Sequence, residues 1–333
     1  MSFPVRWIGS RPGLTAFQDG AVMHEALAID IGGTKVEAAV VDVEGRILPG
    51  TRFRGPTGAA ATREELVASI LQTAERSVAA HGGPVSGVGI GSAGPIGRAD
   101  GTVSPINLPR LAVFPVVAEL RRFTSGPVEL RLDGTCIALA EHWQGALRGT
   151  ENSMGIVVST GIGGGIILGS RLVPGTSGNA GHLGQMQLRR REPDAVGTPW
   201  TLEGIASGTA TVAWARAQGW TGTTGEQLGA DYAAGTEIAI RAVRRSAEAV
   251  GEALCSITTL LDLERVAIGG GFSRVSPDYL DLVQEAATSA ALHAYARELR
   301  VVPAGLDADG PLIGAAALVL ADGPVPEQPC TGP

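Results

Sequence analysis

The sequence predicts an α/β protein of two lobes that repeat one order of elements. That order is three β-type runs, a helix, a further strand and a second helix, beginning at residue 26 and again near residue 154. A glycine-rich turn joins the first two strands of each half. The 333 residues suffice for about two domains. Hydrophobic residues make up 44% of the chain and charged residues 18%, which favours large cores over disorder.

The first half follows from short apolar runs and one clear helical period. The pattern predicts strands over Ala26–Ile31 and Val36–Val43, joined by a turn that contains a pair of glycines. Apolar residues at intervals of three and four predict a helix over Thr62–His81. The remaining predicted elements are strands over Val85–Ile90 and Val128–Leu132 and helices over Val116–Phe123 and Thr135–Leu147.

The second half repeats this pattern around a long insertion over residues 171–233. Gly155–Ser159 and Gly161–Leu168 are predicted strands on either side of a glycine-rich turn. The most regular helical period in the chain runs over Ile238–Leu261. The other predicted elements are a buried strand over Val266–Ile268 and helices over Tyr279–Leu299 and Leu312–Leu320.

Composition excludes several classes of function. The net charge of −7 gives no general attraction to nucleic acid or to anionic lipid, and aromatic residues, at 4%, are too scarce for base-stacking surfaces. No apolar run approaches the ~20 residues that span a bilayer. Met1–Glu25 lacks the apolar core of a secretion signal. We therefore expect a cytoplasmic protein with a non-secretory leader and no nucleic-acid or membrane partner.

The turn after the first strand, DIGGTK at residues 30–35, has the composition of a phosphate-binding loop. Gly32 and Gly33 let backbone N–H groups approach an anion, and the hydroxyl of Thr34 adds a donor. Lys35 is the only lysine in the chain and adds positive charge near the phosphates. Asp30 can hold a water molecule of a Mg²⁺ ion. The alternative interpretation is a hairpin turn with a nearby charge pair.

Two further glycine-rich segments and one carboxylate point to the same kind of ligand. STGIGGG at residues 159–165 duplicates the first turn, and Gly269–Gly271 lets a flat adenine or ribose lie on the backbone. The chain has neither a Walker A sequence nor a dinucleotide fingerprint. We therefore interpret the two glycine turns as clamping a nucleotide between the lobes. Asp133, between a strand and a helix, is either an N-cap or a general base at the mouth of the cleft.

Seven motifs, which run in family order and cover nearly the whole chain from residue 26, resemble the ROK family of sugar kinases. They are DIGGTK at 30–35, GSAGPIGRADGTVSPINLP at 91–109, Asp133 followed by ALAE at 138–141, STGIGGGIILGSRLVPGTSGNAG at 159–181, LEGIASG at 202–208, IGGG at 268–271 and DGPLIGAAAL at 309–318. The resemblance implies a two-lobed, actin-like ATPase fold of the ribonuclease H-like type, with a cleft between the lobes.

The resemblance also implies an activity and a set of site residues. The activity is transfer of the γ-phosphoryl group of ATP, with Mg²⁺, to a primary hydroxyl of a hexose-like substrate, and Asp133 is the implied catalytic base. The implied phosphate and magnesium residues are Asp30, Gly32, Gly33, Thr34 and Lys35 in the first loop and Thr160 and Gly161 in the second. The implied adenosine contacts are Gly269, Gly270 and Gly271, and the implied sugar contacts are Gly94, Asn107 and Glu203.

The chain departs from the family at the zinc site. The family sequence E-x-G-H, followed by a cysteine cluster, is HLGQ at residues 182–185 here, and residues 186–202 contain no cysteine. His182 therefore stands where a sugar-binding Glu is expected, and Gln185 where a zinc-binding His is expected. Because a structural Zn²⁺ needs about four N or S ligands, we expect no zinc. Its scaffolding role would pass to Arg189–Arg191 and to packing around Trp200.

A second departure is Leu132, which replaces the Asn that usually precedes the catalytic Asp and grips sugar hydroxyls. An unpaired buried hydroxyl costs ~1–3 kcal/mol. Leu132 and His182, counted here among the substrate contacts, therefore predict a substrate other than glucose in its usual pose. The open alternatives are an ordinary hexose, an amino sugar such as kanosamine, and a C7 cyclitol of an antibiotic or other secondary-metabolite pathway. A weakly active glucokinase is the alternative to all three.

Two other functions are alternatives to a kinase. A sugar-responsive regulator of the same family needs an N-terminal helix-turn-helix, for which 25 residues before the first strand are too few. A sugar-binding pseudokinase is disfavoured because Asp30, Lys35 and Asp133 are all present.

We expect a leader over 1–25, a small lobe over 26–132 to which a C-terminal helix over 311–321 returns, and a large lobe over 133–310 with the insertion at 171–233. By resemblance, we expect a homodimer.

Overall fold

The structure, a computed structural model, describes residues 25–188 and 200–321. Most of the expected leader and the stretch Arg189–Arg191 lie outside the described residues. The strands are β1 (Glu25–Ile31), β2 (Lys35–Asp42), β3 (Phe53–Pro56), β4 (Val88–Ser92), β5 (Ile96–Gly97), β6 (Thr102–Val103), β7 (Val128–Leu132), β8 (Ser153–Val158), β9 (Ile162–Leu168), β10 (Arg171–Leu172), β11 (Arg265–Gly269) and β12 (Arg300–Pro303).

The helices follow the predicted apolar periods in most places. They are α1 (Arg63–His81), α2 (Val116–Leu120), α3 (Asp133–Gln144), α4 (Leu202–Ala206), α5 (Gly208–Ala217), α6 (Gly225–Ala233), α7 (Glu237–Leu261), α8 (Tyr279–Ala290), α9 (Ala294–Arg297) and α10 (Gly310–Leu320). Among the described residues, none of these helices combines the length and the apolar character that crossing a membrane requires.

The strands form two five-stranded sheets with the same topology. The first sheet has the order β3-β2-β1-β4-β7 and the second the order β10-β9-β8-β11-β12. In each sheet the three strands that come first in the chain pair antiparallel, and the last two add in parallel. Parallel addition needs a crossover connection, which α1 provides in the first half and the insertion with α7 in the second. The repeat predicted from the sequence is thereby confirmed.

Several element boundaries differ from the prediction; among them, the helix expected over Val116–Phe123 ends at Leu120. The strand expected over Val85–Ile90 is β4, which begins three residues later and extends to Ser92. The helix expected from Thr135 begins at Asp133 and ends before Leu147, at Gln144. The single helix expected over Tyr279–Leu299 is α8 and α9, and it is followed by a strand, β12, that was missed. Arg300–Pro303 is short and carries an Arg and a Pro, so its composition does not indicate a strand.

Helices α3 and α10 fill the space between the two sheets. One apolar cluster joins Ala28 of β1, Ile167 of β9, Leu139 of α3 and Leu312 of α10. The helices approach closely because a Cβ atom on Gly314 would lie 1.8 Å from the carbonyl oxygen of Cys136, so only glycine fits there. This packing brings the carboxyl ends of β1 and β7 opposite the turn between β8 and β9. The lobe boundary at Asp133 stays a prediction.

Candidate active site

Two carboxylates meet at one edge of the first sheet. Strands β1, β4 and β7 run parallel, so their carboxyl ends lie together. Asp30 is next to the end of β1, and Asp133 follows the last residue of β7. Between them, on β4, a Cβ atom on Gly91 would lie 3.5 Å from Oδ1 of Asp30. The sheet therefore leaves an opening onto which both carboxylates face.

The electrostatics of this edge set the protonation of both groups. Burial, followed by the nearby charges of Asp133 and Glu37, raises the pKa of Asp30 from 3.8 to about 7, and Lys35 opposes the shift. Burial also raises the pKa of Asp133, against the lowering effects of its hydrogen bond with Gly134 and of the charge of His182. Two partly buried acids at this edge favour binding of a proton or a cation between them.

The local backbone bears on the N-cap interpretation of Asp133. The residue at the N-cap position of α3 is Leu132, and no side chain caps this helix. Asp133 is the first helical residue, and its Oδ1 accepts a hydrogen bond of 2.7 Å from the N–H of Gly134. The N-cap interpretation is therefore wrong as stated. A second backbone hydrogen bond, from the N–H of Asp133 itself, also holds the carboxylate at the start of α3.

The expected sugar contacts converge beside Asp133. A Cβ atom on Gly94 would lie 2.6 Å from Cδ2 of Leu132 and 2.8 Å from Nε2 of His182. Asn107, which is exposed, lies against the first glycine turn: a Cβ atom on Gly33 would be 2.3 Å from its Nδ2. The structure thus brings together residues that lie far apart in the chain. The Leu132 side chain, which is 2% exposed, packs at this point, and the His182 ring also lies against Gly94.

Glu203 bridges the second glycine turn and the segment that carries His182. Its Oε2 accepts a hydrogen bond of 2.8 Å from the N–H of Ile162, and it would lie 2.6 Å from a Cβ atom on Gly161. Its Oε1 accepts a hydrogen bond of 3.4 Å from Nε2 of Gln185. Gln185, which stands where the family has a zinc ligand, therefore belongs to a hydrogen-bonded network that includes an expected sugar contact.

A cavity of about 510 Å³ lies beyond the second glycine turn. It is lined by Thr160 of that turn and by Gly271 and Phe272 after β11. Two segments that the sequence places more than a hundred residues apart therefore meet around one volume, as the nucleotide interpretation requires. Gly269 and Gly270 do not line it: Gly270 has φ of 98° and lies against the carbonyl of Val158, so it shapes the turn.

The remaining wall of this cavity comes from residues that the sequence interpretation missed. They are Gly208, Thr209, Thr223, Thr224, Gly225, Glu226 and Arg274. Most belong to the insertion, whose helices α5 and α6 begin at the cavity. The capping box of Thr224 and Gln227 marks the start of α6 and could have placed that helix from the sequence. Nothing in the sequence alone shows that its first turn faces the nucleotide segments.

The capacity of this site to hold a metal ion follows from the chemistry of its side chains. Among the described residues, no three His, Cys, Asp or Glu side chains are grouped closely enough to hold a metal ion by themselves. Asp30 fits a magnesium ion held through water, because burial and then the charges of Asp133 and Glu37 raise its pKa, and a cation would offset those charges. The expected zinc ligand position, Gln185, supplies an amide instead.

The family comparison covers almost all of the described chain. The sequence profile of the ROK family matches residues 26–322. A protein named N-acetylmannosamine kinase from Yersinia pseudotuberculosis serotype O:1b is 34% identical over 270 residues, which are 78% of this chain and 87% of that protein.

Solved structures agree in fold. A ROK hexokinase from Thermus thermophilus superposes with a TM-score of 0.77 at 33% identity, covering 90% of this chain and 100% of its own. A ROK family glucokinase from Streptomyces griseus, solved with glucose and AMPPNP, superposes with a TM-score of 0.74 at 28% identity, covering 89% of this chain and 99% of its own. These similarities confirm the expected fold class.

Proposed function

The chain belongs to the ROK family and is an ATP-dependent sugar kinase, and we propose that it phosphorylates a primary hydroxyl of a hexose-like substrate with Asp133 as general base. One observation carries the assignment of the base. Among the described residues, Asp133 is the buried carboxylate that follows Leu132 in the chain and feels the charge of His182, and both of those residues meet at Gly94. Asp30, the acidic residue that shares this edge of the sheet, belongs to the first glycine turn, residues 30–35, which we also call the phosphate turn.

The proposed reaction uses these groups in a direct transfer. The substrate oxygen attacks the γ-phosphorus, the bond to the bridging oxygen of ADP breaks, and the hydroxyl proton passes to the Asp133 carboxylate. The N–H groups of Gly33 and Thr34 and of the Thr160–Gly161 turn would bind the phosphates, whereas the N–H of Gly32 closes the first turn by donating to the carbonyl of Lys35. Magnesium, when bound, neutralises phosphate charge, and Asp30 would hold it through a water molecule. The nucleoside would occupy the cavity at Gly271 and Phe272.

The substrate class is proposed from the two departures beside the base. Leu132 offers no hydrogen bond, and His182 replaces the reach and charge of a Glu. An amino sugar such as kanosamine fits best, since the imidazole of His182 and the carboxylate of Glu203 can hydrogen-bond an amine or amide. The name of the Yersinia relative supports an amino sugar. A C7 cyclitol of a secondary-metabolite pathway is the second candidate, because it lacks the anomeric hydroxyl that a Glu at position 182 would grip.

A screen of acceptors tests the function. ADP release coupled to NADH oxidation would be measured with glucose, N-acetylmannosamine, kanosamine and a C7 cyclitol, each at several concentrations. We expect the highest kcat/KM for an amino sugar and phosphorylation at its primary hydroxyl, established by NMR of the product. Absence of sugar-dependent ADP release with every acceptor would overturn the proposal. A highest kcat/KM for glucose would refute only the substrate class.

Reverting both departures should change the substrate preference. We expect Leu132→Asn with His182→Glu to raise kcat/KM for glucose and to lower it for the best acceptor of the screen. One hydrogen bond regained at each site is worth ~0.5–1.5 kcal/mol, so the ratio of the two values should move by roughly tenfold or somewhat more. Non-additivity is expected because Leu132 and His182 meet at Gly94.

Controls separate specificity from packing in this experiment. Each single reversion and His293→Glu, the same exchange at an exposed histidine outside the site, would be measured alongside. Thermal unfolding of every variant would be recorded. An unchanged ratio accompanied by a lower melting temperature would mean that Leu132 and His182 only pack the fold.

We also expect the purified protein to contain no zinc. The reason is that Gln185 stands at the expected zinc-ligand position and residues 186–202 contain no cysteine. The described residues on either side of 189–199 pair through the backbone: the N–H of Leu188 donates to the carbonyl of Trp200 at 2.7 Å and that of Leu202 to Met186 at 2.8 Å. The Trp200 side chain, expected to anchor this segment by packing, is 38% exposed and is not a buried anchor. Elemental analysis should therefore find no stoichiometric zinc, and EDTA should leave the melting temperature unchanged. Stoichiometric zinc would refute the expectation.

A further inference from the structure

A buried carboxylate lies beside the first glycine turn and has no role in the reaction described so far. Glu37 is directly opposite Asp30 in the antiparallel pairing of β1 with β2, so both side chains leave the same face of the sheet. The Glu37 side chain is only 4% exposed. An acidic residue within the apolar run of β2 must therefore be compensated by its surroundings.

Three cationic side chains surround this single carboxylate. Oε2 of Glu37 accepts from Nζ of Lys35, and Oε1 accepts from Nε of Arg52 at 3.1 Å and from Nε of Arg54 at 2.5 Å. Burial alone would raise the pKa of Glu37, but the hydrogen bonds from Lys35 and Arg54 and the charge of Arg52 lower it. Glu37 is therefore held ionised by three cations, of which Arg52 and Arg54 remain as partners when Lys35 is replaced.

Arg52 differs from Lys35 and Arg54 in how it is held, and its side chain is 27% exposed against 45% and 57%. Arg52 also donates from Nη1 to Asp309 at 2.5 Å and from Nη2 to the carbonyl of Ala308 at 3.0 Å, at the start of α10. Arg274, which lines the nucleotide cavity, donates to Asp307 of the same segment at 2.8 Å in an exposed ion pair. Arg52 thus links Glu37 to the segment that precedes α10.

Lys35, in contrast, keeps donors available. Its side chain is 45% exposed, and an ammonium group has three N–H donors, of which Glu37 takes one. The other two can reach into the cleft at the end of the glycine turn. Without its ion pair to Glu37, the flexible side chain of Lys35 would lose considerable conformational entropy when its charge is placed at a phosphate.

We propose that Glu37 is a positioning residue that holds the Lys35 ammonium at the phosphate turn, with Arg52 and Arg54 keeping Glu37 in place. The proposal rests on the proposed function, in which Lys35 contacts the nucleotide phosphates. It predicts a split between binding and catalysis. Glu37→Gln removes a negative charge near the nucleotide, which favours ATP binding, but leaves Lys35 misplaced in the transition state, which slows transfer.

The kinetic test is a double-mutant cycle of Glu37→Gln and Lys35→Ala. We expect Glu37→Gln to lower kcat about tenfold while KM for ATP stays unchanged or falls. In the Lys35→Ala background the same change should have no further effect on kcat, because Glu37 acts through Lys35. Glu119→Gln, which removes the acid of the exposed pair with Arg122, is the matched control and should change nothing. Additive effects of Glu37→Gln and Lys35→Ala on kcat would overturn the proposal.

A second measurement does not depend on turnover. Because Lys35 is the only lysine, an amine-reactive reagent modifies only Lys35 and the N-terminus, and peptide mass spectrometry separates the two. Glu37→Gln should raise the modification rate of Lys35 in the ligand-free protein by about two- to fivefold, the factor that a half-exposed ion pair is worth. An unchanged rate would overturn the proposal even if the variant is less stable.

Magnesium and AMPPNP distinguish this inference from the function on which it rests. If the nucleotide analogue does not slow modification of Lys35 in the unsubstituted protein, the phosphate role of Lys35 fails, and Glu37 cannot position it for that role. If the analogue protects Lys35 but Glu37→Gln alters neither the modification rate nor kcat, only the positioning role fails.

Discussion

Asp133→Asn is expected to lower kcat by about 10²–10⁴-fold, the usual cost of removing a general base. The amide cannot take the hydroxyl proton of the substrate, whereas its oxygen can still accept the hydrogen bond from Gly134 at the start of α3. The replacement also removes a negative charge beside Asp30, so folding should be unimpaired. Turnover would be measured with the best acceptor of the screen, and AMPPNP affinity by calorimetry.

The control for this experiment is Asp281→Asn, at an exposed acid in the first turn of α8. It carries the same chemical change outside the site and should retain full activity. AMPPNP affinity of Asp133→Asn should stay within about threefold, because the base contacts the acceptor and not the nucleotide. Turnover of Asp133→Asn close to that of Asp281→Asn would remove Asp133 from the reaction.

The fold was largely predictable because its strongest signals are local. The paired strands around DIGGTK and the period over Ile238–Leu261 identify β1, β2 and α7 to within a residue or two at most ends. Strand β12 was missed because Leu299, which is 2% exposed, continued the apolar spacing of α8. Pairing with β11, a tertiary contact, makes Arg300–Pro303 a strand.

Residues of the candidate site could be proposed from the sequence only where they belong to a recognisable local motif. The glycine turn of residues 30–35 and Asp133, at the junction of a strand and a helix, belong to such motifs. The first turns of α5 and α6 are not, because they reach the nucleotide cavity through the packing of an insertion. Glu37 is an intermediate case. Its single charge within the apolar run VEAAVV is visible in the sequence, but the three cations that compensate it are known only from the structure.

Asp30→Asn is expected to stabilise the ligand-free protein at high pH. In the folded state the pKa of Asp30 is about 7, against 3.8 when unperturbed, so between these values the folded protein binds more protons than the unfolded chain. The free energy of unfolding therefore falls as the pH rises through this window, and the penalty is complete above it. Asparagine carries no charge at any pH, so the variant escapes the penalty. It should also lose activity, because Asp30 is the residue proposed to hold magnesium at the phosphates.

The size and the pH dependence of this effect make it testable. A shift of about three pKa units corresponds to roughly 4 kcal/mol, and about 2–4 kcal/mol is expected at pH 8 because Asp30 keeps part of its surface in contact with solvent. Urea unfolding in EDTA at pH 5, 6.5 and 8 would give the difference between the two proteins, with Asp281→Asn as the control. The difference should grow from pH 5 to pH 8. A difference independent of pH, or a variant less stable at pH 8, would show that Asp30 is not strained by burial beside Asp133. If the difference grows with pH as expected, the stability lost at Asp30 is the cost of keeping an acid where the proposed phosphate and magnesium chemistry requires one.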